Sequence, residues 1–242
     1  MEYNQDYFSS DRYKDVSFKK FSQYWWSNRF YALLIKKFGP EDGRILEVGC
    51  GLGHMLDWLL KDHKVFGIDV NEWALEQADE RLPDGEFLKV DAHDLSIFPD
   101  DYFSVVAAKH VVEHLTDPGK AIGEMGRVLK PGGMLLLSTP NMDSPMRERK
   151  GEEWVGYQDS THISLRSPDE WLSILEENKL KATKLFSDGF WDPPYVKFIP
   201  SFIQKLWYGT PGGIQAVLGG SFLALEKGES LIVIAEKEGV SK

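Results

Sequence analysis

A chain of 242 residues, 42% of them hydrophobic, is long enough to bury one substantial core, and no repeat, low-complexity tract or linker divides it. Its formal net charge of −10 works against binding a phosphate backbone, which excludes nucleic acid as the expected substrate or partner. The single cysteine, Cys50, can form no internal disulfide, no apolar run is long enough to span a bilayer, and the polar, aromatic N-terminus does not read as a signal peptide; a cytoplasmic protein without a transmembrane segment is expected.

The first 40 residues are rich in aromatics: Tyr3, Tyr7, Phe8 and Tyr13, then Phe18, Phe21, Tyr24, Trp25, Trp26, Phe30 and Tyr31. From Phe18 onward the apolar spacing approximates a helix packed on a sheet edge. Arg44–Val48 then reads as a strand carrying one acid, Glu47, and it breaks into Gly49, Gly51 and Gly53 before a helical pattern at Met55, Leu56, Leu59 and Leu60. Strand, glycine turn and helix start let backbone approach a nucleotide-like ligand, because residues without a Cβ leave room for it. The dinucleotide fingerprint spaces its glycines G-x-G-x-x-G, whereas here the spacing is G-x-G-x-G and His54 stands at the third position. A carboxylate at Glu47 also suits a positively charged centre better than a pyrophosphate. A nicotinamide oxidoreductase is therefore disfavoured, though kept as an alternative.

Lys64–Asp69 reads as a second strand ending in an acid about 20 residues beyond the turn, where a ribose diol would be gripped. Asn71 caps a helix through Trp73, Ala74, Leu75 and Ala78. A third strand from Glu86 to Val90 ends in Asp91-Ala92, and a fourth from Phe103 to Ala108 leads into Lys109-His-Val-Val-Glu-His114. Asp117 and Pro118 open a helix to Leu129 that stops at Lys130-Pro-Gly-Gly133, ahead of a fifth strand from Met134 to Ser138. Acids at successive strand ends line the edge where open α/β sheets bind ligands. Met142 to Arg166 is polar and irregular, Ser167-Pro-Asp-Glu170 is a capping box, and Lys181–Phe186 and Ser230–Ala235 read as the last two strands. Between them, residues 191–220 place Val196, Ile199, Ile203, Leu206 and Trp207 on an apolar helical face. That face fits a structural cap or homodimer contact, a pocket for an apolar acceptor, or a membrane-surface helix with a thin basic side.

The segments ILEVGCGLG at 45–53, GIDVN at 67–71, KVDAHDL at 89–95, VVEHLTDP at 111–118 and LKPGGMLLLSTPN at 129–141 occur in an order and spacing that resembles the class I S-adenosylmethionine-dependent methyltransferases. The Glu113-His114 pair and Thr161-His162 resemble the ubiquinone-biosynthesis O-methyltransferase branch. The resemblance implies an α/β, Rossmann-like three-layer sandwich, with a seven-stranded, mostly parallel sheet that has an antiparallel edge strand. It implies an aromatic helical lid over residues 1–40, with Tyr7, Tyr24 and Arg29 as contacts, on a methyltransferase domain over 41–242. Within that domain are a core at 42–142, an acceptor loop at 142–166 and a cap insertion at 191–220. S-adenosylmethionine is the implied cofactor. Glu47 would anchor its amino group, Gly49, Cys50, Gly51 and Gly53 would admit its methionine and ribose portions, and Asp69 with Val70 would hold the ribose. Asp91-Ala92 would meet the adenine, and Lys109, His110 and Val111 would lie beside the sulfonium. The implied acceptor is a small molecule methylated on oxygen, with nitrogen or carbon as alternatives, and His110 and His162 are candidate bases.

A non-catalytic cofactor-binding subunit is a contrasting reading, but such a relative is expected to lose the glycines or acids, and none is lost. His110, Glu113 and His114 also match an inverted zinc-protease motif, which needs a helix where this chain follows a strand. No metal ligand is assigned: the resembled branch has Glu at the position of His110 and can hold a divalent ion there. His114 is expected to bond across the loop, His54 to serve the glycine turn, and His63 and His93 to be surface or turn residues.

Overall fold

The computed structural model describes residues 17–239, so Tyr3, Tyr7, Phe8 and Tyr13 fall outside it. Helix α1 (Gln23–Phe38) begins at Ser22, whose side chain accepts from the Trp25 N–H, and carries Lys36 and Lys37 in its last turn. There follow β1 (Arg44–Val48), β2 (Lys64–Asp69), α2 (Glu72–Arg81), β3 (Glu86–Lys89), β4 (Phe103–Lys109), α3 (Pro118–Val128), β5 (Leu129–Pro140), two short helices α4 (Pro145–Lys150) and α5 (Val155–Gln158), α6 (Pro168–Glu177), β6 (Leu180–Ser187), α7 (Ser201–Leu218) and β7 (Ser230–Lys237). The seven strands form one sheet in the order β3-β2-β1-β4-β5-β7-β6. All neighbours are parallel except the pairs made by β7, which runs antiparallel to both β5 and β6. The mostly parallel seven-stranded sheet is as expected, and its antiparallel strand sits one place in from the edge.

The strands are apolar almost throughout because both faces are covered. Leu46, Val106, Leu135 and Val233 face one core with α3 and α6, and Ile45, Val105, Leu136 and Ile232 alternate with them into a second core with α1. This is the three-layer sandwich. The predicted caps are present: Asn71 accepts from Ala74, Asp117 from Lys120, and Ser167 with Glu170 forms both halves of the capping box. Among the described residues, no helix is long and apolar enough to cross a membrane.

Three local readings are corrected. The segment after the glycine turn is not a regular helix: bonds from Trp58 to Met55 and Leu59 to Leu56 alternate with bonds from Asp57 to Gly53 and Leu60 to Leu56. Only ten residues separate Gly53 from β2, and mixing three- and four-residue spans lets the chain turn back within them. Lys130-Pro-Gly-Gly133 is not a connector but an irregular stretch within β5, taken up by a register shift between Leu129–Phe103 and Met134–Val105. His63 is buried rather than on the surface, tucked under the turn that enters β2.

Candidate functional site

The C-terminal ends of β1 to β4 border a cavity of about 670 Å³, roofed by Tyr24, Ser27 and Asn28 of α1. The glycine turn is its floor. Gly49, Gly51 and Gly53 adopt φ of +67°, +49° and +72°, a region that residues with a Cβ seldom enter. A Cβ on Gly49 would lie 2.4 Å from the Val111 side chain, and one on Gly53 would press on Ala78 of α2 at 3.2 Å. Conformation and packing alone therefore require glycine at these two positions. Every residue assigned from the sequence to the cofactor lines this cavity except Gly53, which lies behind the turn.

Asp69 ties the turn to β2. One carboxylate oxygen accepts from Gly51 N–H and the other from Asn71 N–H, each at 2.9 Å. Burial raises its pKa, and these backbone bonds oppose the rise. Glu47 is buried on the α1 side of β1, and its Oε2 has no partner among the described residues. Lys109 is half-buried beside it; its Nζ donates to Asn28 Oδ1 at 3.0 Å and lies over the rings of Tyr24 and Tyr31. Burial pushes the Glu47 carboxyl up and the Lys109 ammonium down, each partly offset by the other's charge. His54 stacks on Phe18 and meets Tyr24 edge-on, and burial lowers its pKa to about 4, so it joins the N-terminal segment to the turn as a neutral ring. Asp91 is bonded by the backbone and ring of His93, which outweigh a burial penalty and hold its carboxyl low.

A second cavity of about 690 Å³ lies alongside, under α1 and α7, and Ser27, His110 and Val155 line both. His110 follows β4 at φ +52°, a strained position more often tolerated by His than by bulkier residues. Its Nδ1 is 3.2 Å from Oε1 of Glu113, which is wholly buried, and its Nε2 is 3.5 Å from Ser230 Oγ. Against the cost of full burial, the bond from His110 holds the Glu113 carboxyl below its usual value.

His162 also lines the second cavity, yet its Nδ1 bonds Gly156 O at 2.7 Å and its Nε2 lies 3.1 Å from Asp159. His114 bonds across the loop to Thr161, as expected. Donor atoms of Glu113, His114 and His162 come within 4.8 Å of one another.

Two acids of this cavity escaped the sequence reading. Asp188 follows β6 and accepts from Ser230 Oγ at 2.8 Å, with its pKa raised by burial. Glu229 precedes β7, and burial raises it to about 7. Both stand at strand ends on the ligand edge, the signal that marked Asp69 and Asp91, but β6 and β7 lie outside the ordered motifs that drew attention to that edge.

Comparison with known proteins decides the family. The profile described as a methyltransferase domain matches residues 23–185. The chain belongs to the class I S-adenosylmethionine-dependent methyltransferases. Within that family, it is 27% identical over 220 residues to a 2-methyl-6-phytyl-1,4-hydroquinone methyltransferase of Synechocystis, covering 83% of this chain and 66% of the relative. It is 31% identical to a ubiquinone biosynthesis O-methyltransferase of Bradyrhizobium over 58% of this chain and 59% of the relative. Four further curated relatives are matched over 30, 46, 43 and 43% of their length, so the chain spans less than half of each. In structure it superposes on the Bacillus subtilis YcgJ protein with a TM-score of 0.61 at 18% identity, covering 88% of this chain and 99% of that one. A SAM-dependent methyltransferase of Archaeoglobus fulgidus gives 0.61 at 19%, covering 87% and 94%. These two likenesses bear on the fold.

Proposed function

We propose that the chain transfers a methyl group from S-adenosylmethionine to a hydroxyl oxygen of a small-molecule acceptor held in the 690 Å³ cavity. The observation that carries this reading is the junction: two ligand-sized cavities meet at His110. The residues fit the cofactor, since Glu47 keeps a buried oxygen without a partner facing the first cavity, as a cationic ligand requires. S-adenosylmethionine, when bound, supplies a methyl already activated by its sulfonium. What the protein adds is alignment and exclusion of water, worth roughly 7–11 kcal/mol in intramolecular precedent. Glu47 accepts from the cofactor's amino group, Asp69 offers its remaining lone pairs to the ribose, and Asp91-Ala92 flanks the adenine. Residues 17–38 of the aromatic N-terminal region serve as the lid, through Tyr24, Ser27 and Asn28.

His110 Nε2 would take the hydroxyl proton of an acceptor in the second cavity, and the cofactor, held by Glu47, Asp69 and Asp91-Ala92, would supply the methyl to that oxygen. Glu113 fixes Nδ1 as the donor and balances the imidazolium. The curated relatives include a phosphatidylethanolamine N-methyltransferase of Cereibacter sphaeroides, 28% identical over 60% of this chain, so the choice of oxygen rests on the His110–Glu113 dyad.

The test is transfer from ¹³C-methyl-labelled cofactor into a small-molecule extract, with the product read by NMR. An O-methyl carbon supports the reading; label on nitrogen, or no transfer by a preparation that binds the cofactor, overturns it.

Asp69→Ala is expected to weaken S-adenosylmethionine binding by about 1.5–3 kcal/mol, on the scale of charge-assisted hydrogen bonds. Calorimetry checks it, and unchanged affinity removes Asp69 from the site. His162, with both ring nitrogens engaged, holds the acceptor loop rather than the proton. His162→Ala should raise the acceptor KM while kcat stays within about tenfold. A larger fall in kcat at unchanged KM returns the base role to His162.

A further inference from the structure

Helix α7 has its amphipathic sense reversed. Towards the body of the protein it turns Gln204, Gly209, Gly212, Gln215 and Ala216, all buried. The two glutamines are fully engaged there: Gln204 bonds the backbone of Tyr195, Val196 and Ile199, and Gln215 bonds that of Ser187, Phe222 and Leu223. Outward it presents Phe202, Leu206 and Trp207, which are 74, 74 and 80% exposed, with Ile214 and Leu218 further along the same side. A surface helix ordinarily buries its apolar stripe. Single exposed apolar side chains are commonplace, but a continuous face of them marks a contact.

Charge says what the contact is with. Residues 193–224 hold Lys197 and Lys205 and no Asp or Glu; residues 17–38 hold Lys19, Lys20, Arg29, Lys36 and Lys37 and again no acid, in a protein whose net charge is −10. The two stretches make one surface. Arg29 donates to the carbonyls of Ala216 and Val217, and Lys37 to that of Gly219, so α1 lies directly against α7. Phe21, 73% exposed just ahead of α1 and packed against Trp25 and Trp26, is a further exposed apolar side chain of the α1 stretch. Lys36 is paired with Asp62 at the far end.

We propose that this α1–α7 face docks on an anionic lipid bilayer, with the outward side of α7 inserted among the headgroups and the flanking lysines on lipid phosphates. A second copy of the chain fits less well: a symmetric contact through the same face would set each set of lysines against its twin. A lipid surface asks for no shape complementarity and favours this pairing of large apolar side chains with cations. The docking stands on the surface alone. Joined to the chemistry proposed above, it has one consequence: the acceptor cavity is lined by Trp26 and Phe30 of α1 and by Ala216 and Val217 of α7, so an acceptor resident in lipid would enter between the two docked helices.

Co-sedimentation with vesicles of phosphatidylcholine, alone or with about 30% phosphatidylglycerol, tests it. The full chain should bind the anionic vesicles at least ~5-fold better and lose most of that advantage in about 0.5 M salt. The double variant F202E/L206E, at exposed positions outside both cavities, should lose binding by ~10-fold or more without a change in Tm or in S-adenosylmethionine affinity. Equal binding of the double variant, or no binding of the parent to anionic vesicles, overturns the proposal. So does a lipid-free dimer that F202E/L206E converts to monomer, which would give the face to a second copy. Cofactor affinity, measured on the same preparations, bears on the methyl-transfer reading alone and so keeps the two failures apart.

Discussion

Replacing His110 by Asn is expected to lower methyl-transfer turnover about 10²–10³-fold, the usual worth of a positioned general base, while S-adenosylmethionine affinity stays within about threefold. Asn is the informative substitution because the backbone at 110 sits at φ +52°, a conformation that Asn accepts readily and Ala does not. The variant removes the imidazole without disturbing the turn that carries Lys109 and Val111 into the cofactor cavity. The dyad makes a companion prediction. The bond from His110 holds the Glu113 carboxyl in its charged form, and that carboxylate fixes the ring that carries the base. In Glu113→Gln a neutral amide replaces it, so single-turnover methyl transfer should fall while S-adenosylmethionine affinity stays within about threefold. Turnover of His110→Asn within threefold of the parent would take the proton away from this residue.

The sequence carried the sheet because each strand's burial is written in its own residues. Val105-Val-Ala-Ala108 and Met134-Leu-Leu-Leu137 are apolar at every position, which only a strand covered on both faces demands. The caps were legible for a similar reason, since Asn71, Asp117 and Ser167 each act on an N–H group three residues away. What failed was non-local. Nothing within Met55–Leu60 says that the chain must return to β2 so soon, and its apolar spacing is the same for a true helix and for the mixed turn observed.

The site shows the same division. The strand-end acids of the first three strands, Glu47, Asp69 and Asp91, were found because an ordered set of motifs surrounds them. Asp188 and Glu229 come from β6 and β7, outside that set, and meet His110 only through the antiparallel register that brings Ser230 opposite Pro140. The reversed sense of α7 was illegible in principle. A period of apolar residues fixes which side chains share a face, not which way the face looks. Gln204 and Gln215 decide that by bonding inward to backbone whose position depends on the whole insertion.

Glu47→Gln should move stability and cofactor affinity in opposite directions. In the ligand-free protein the Glu47 carboxylate is buried with one oxygen lacking a partner, and burial raises its pKa above the ordinary 4.5. A carboxyl raised on folding stabilises the fold fully below the unfolded pKa, and that contribution is lost as pH rises through the folded value. The ligand-free protein should therefore lose stability on going from pH 4.5 upward. Lys109, lowered from 10.5 by the same burial, contributes the opposite slope at higher pH, because the unfolded chain then binds the extra proton. The expected profile is a shallow minimum above neutrality, flanked by recovery on both sides. In Glu47→Gln the acidic branch of that minimum disappears, so the variant's Tm should match the parent's at low pH and exceed it near pH 8. Its S-adenosylmethionine affinity should fall by roughly 10–100-fold, since a neutral amide accepts from an ammonium group far less strongly than a carboxylate. Thermal unfolding across pH with and without the cofactor reads both effects in one experiment. Equal cofactor affinity, with the Tm gain intact, would mean that the Glu47 carboxylate answers to Lys109 alone and that the cationic end of the ligand lies elsewhere.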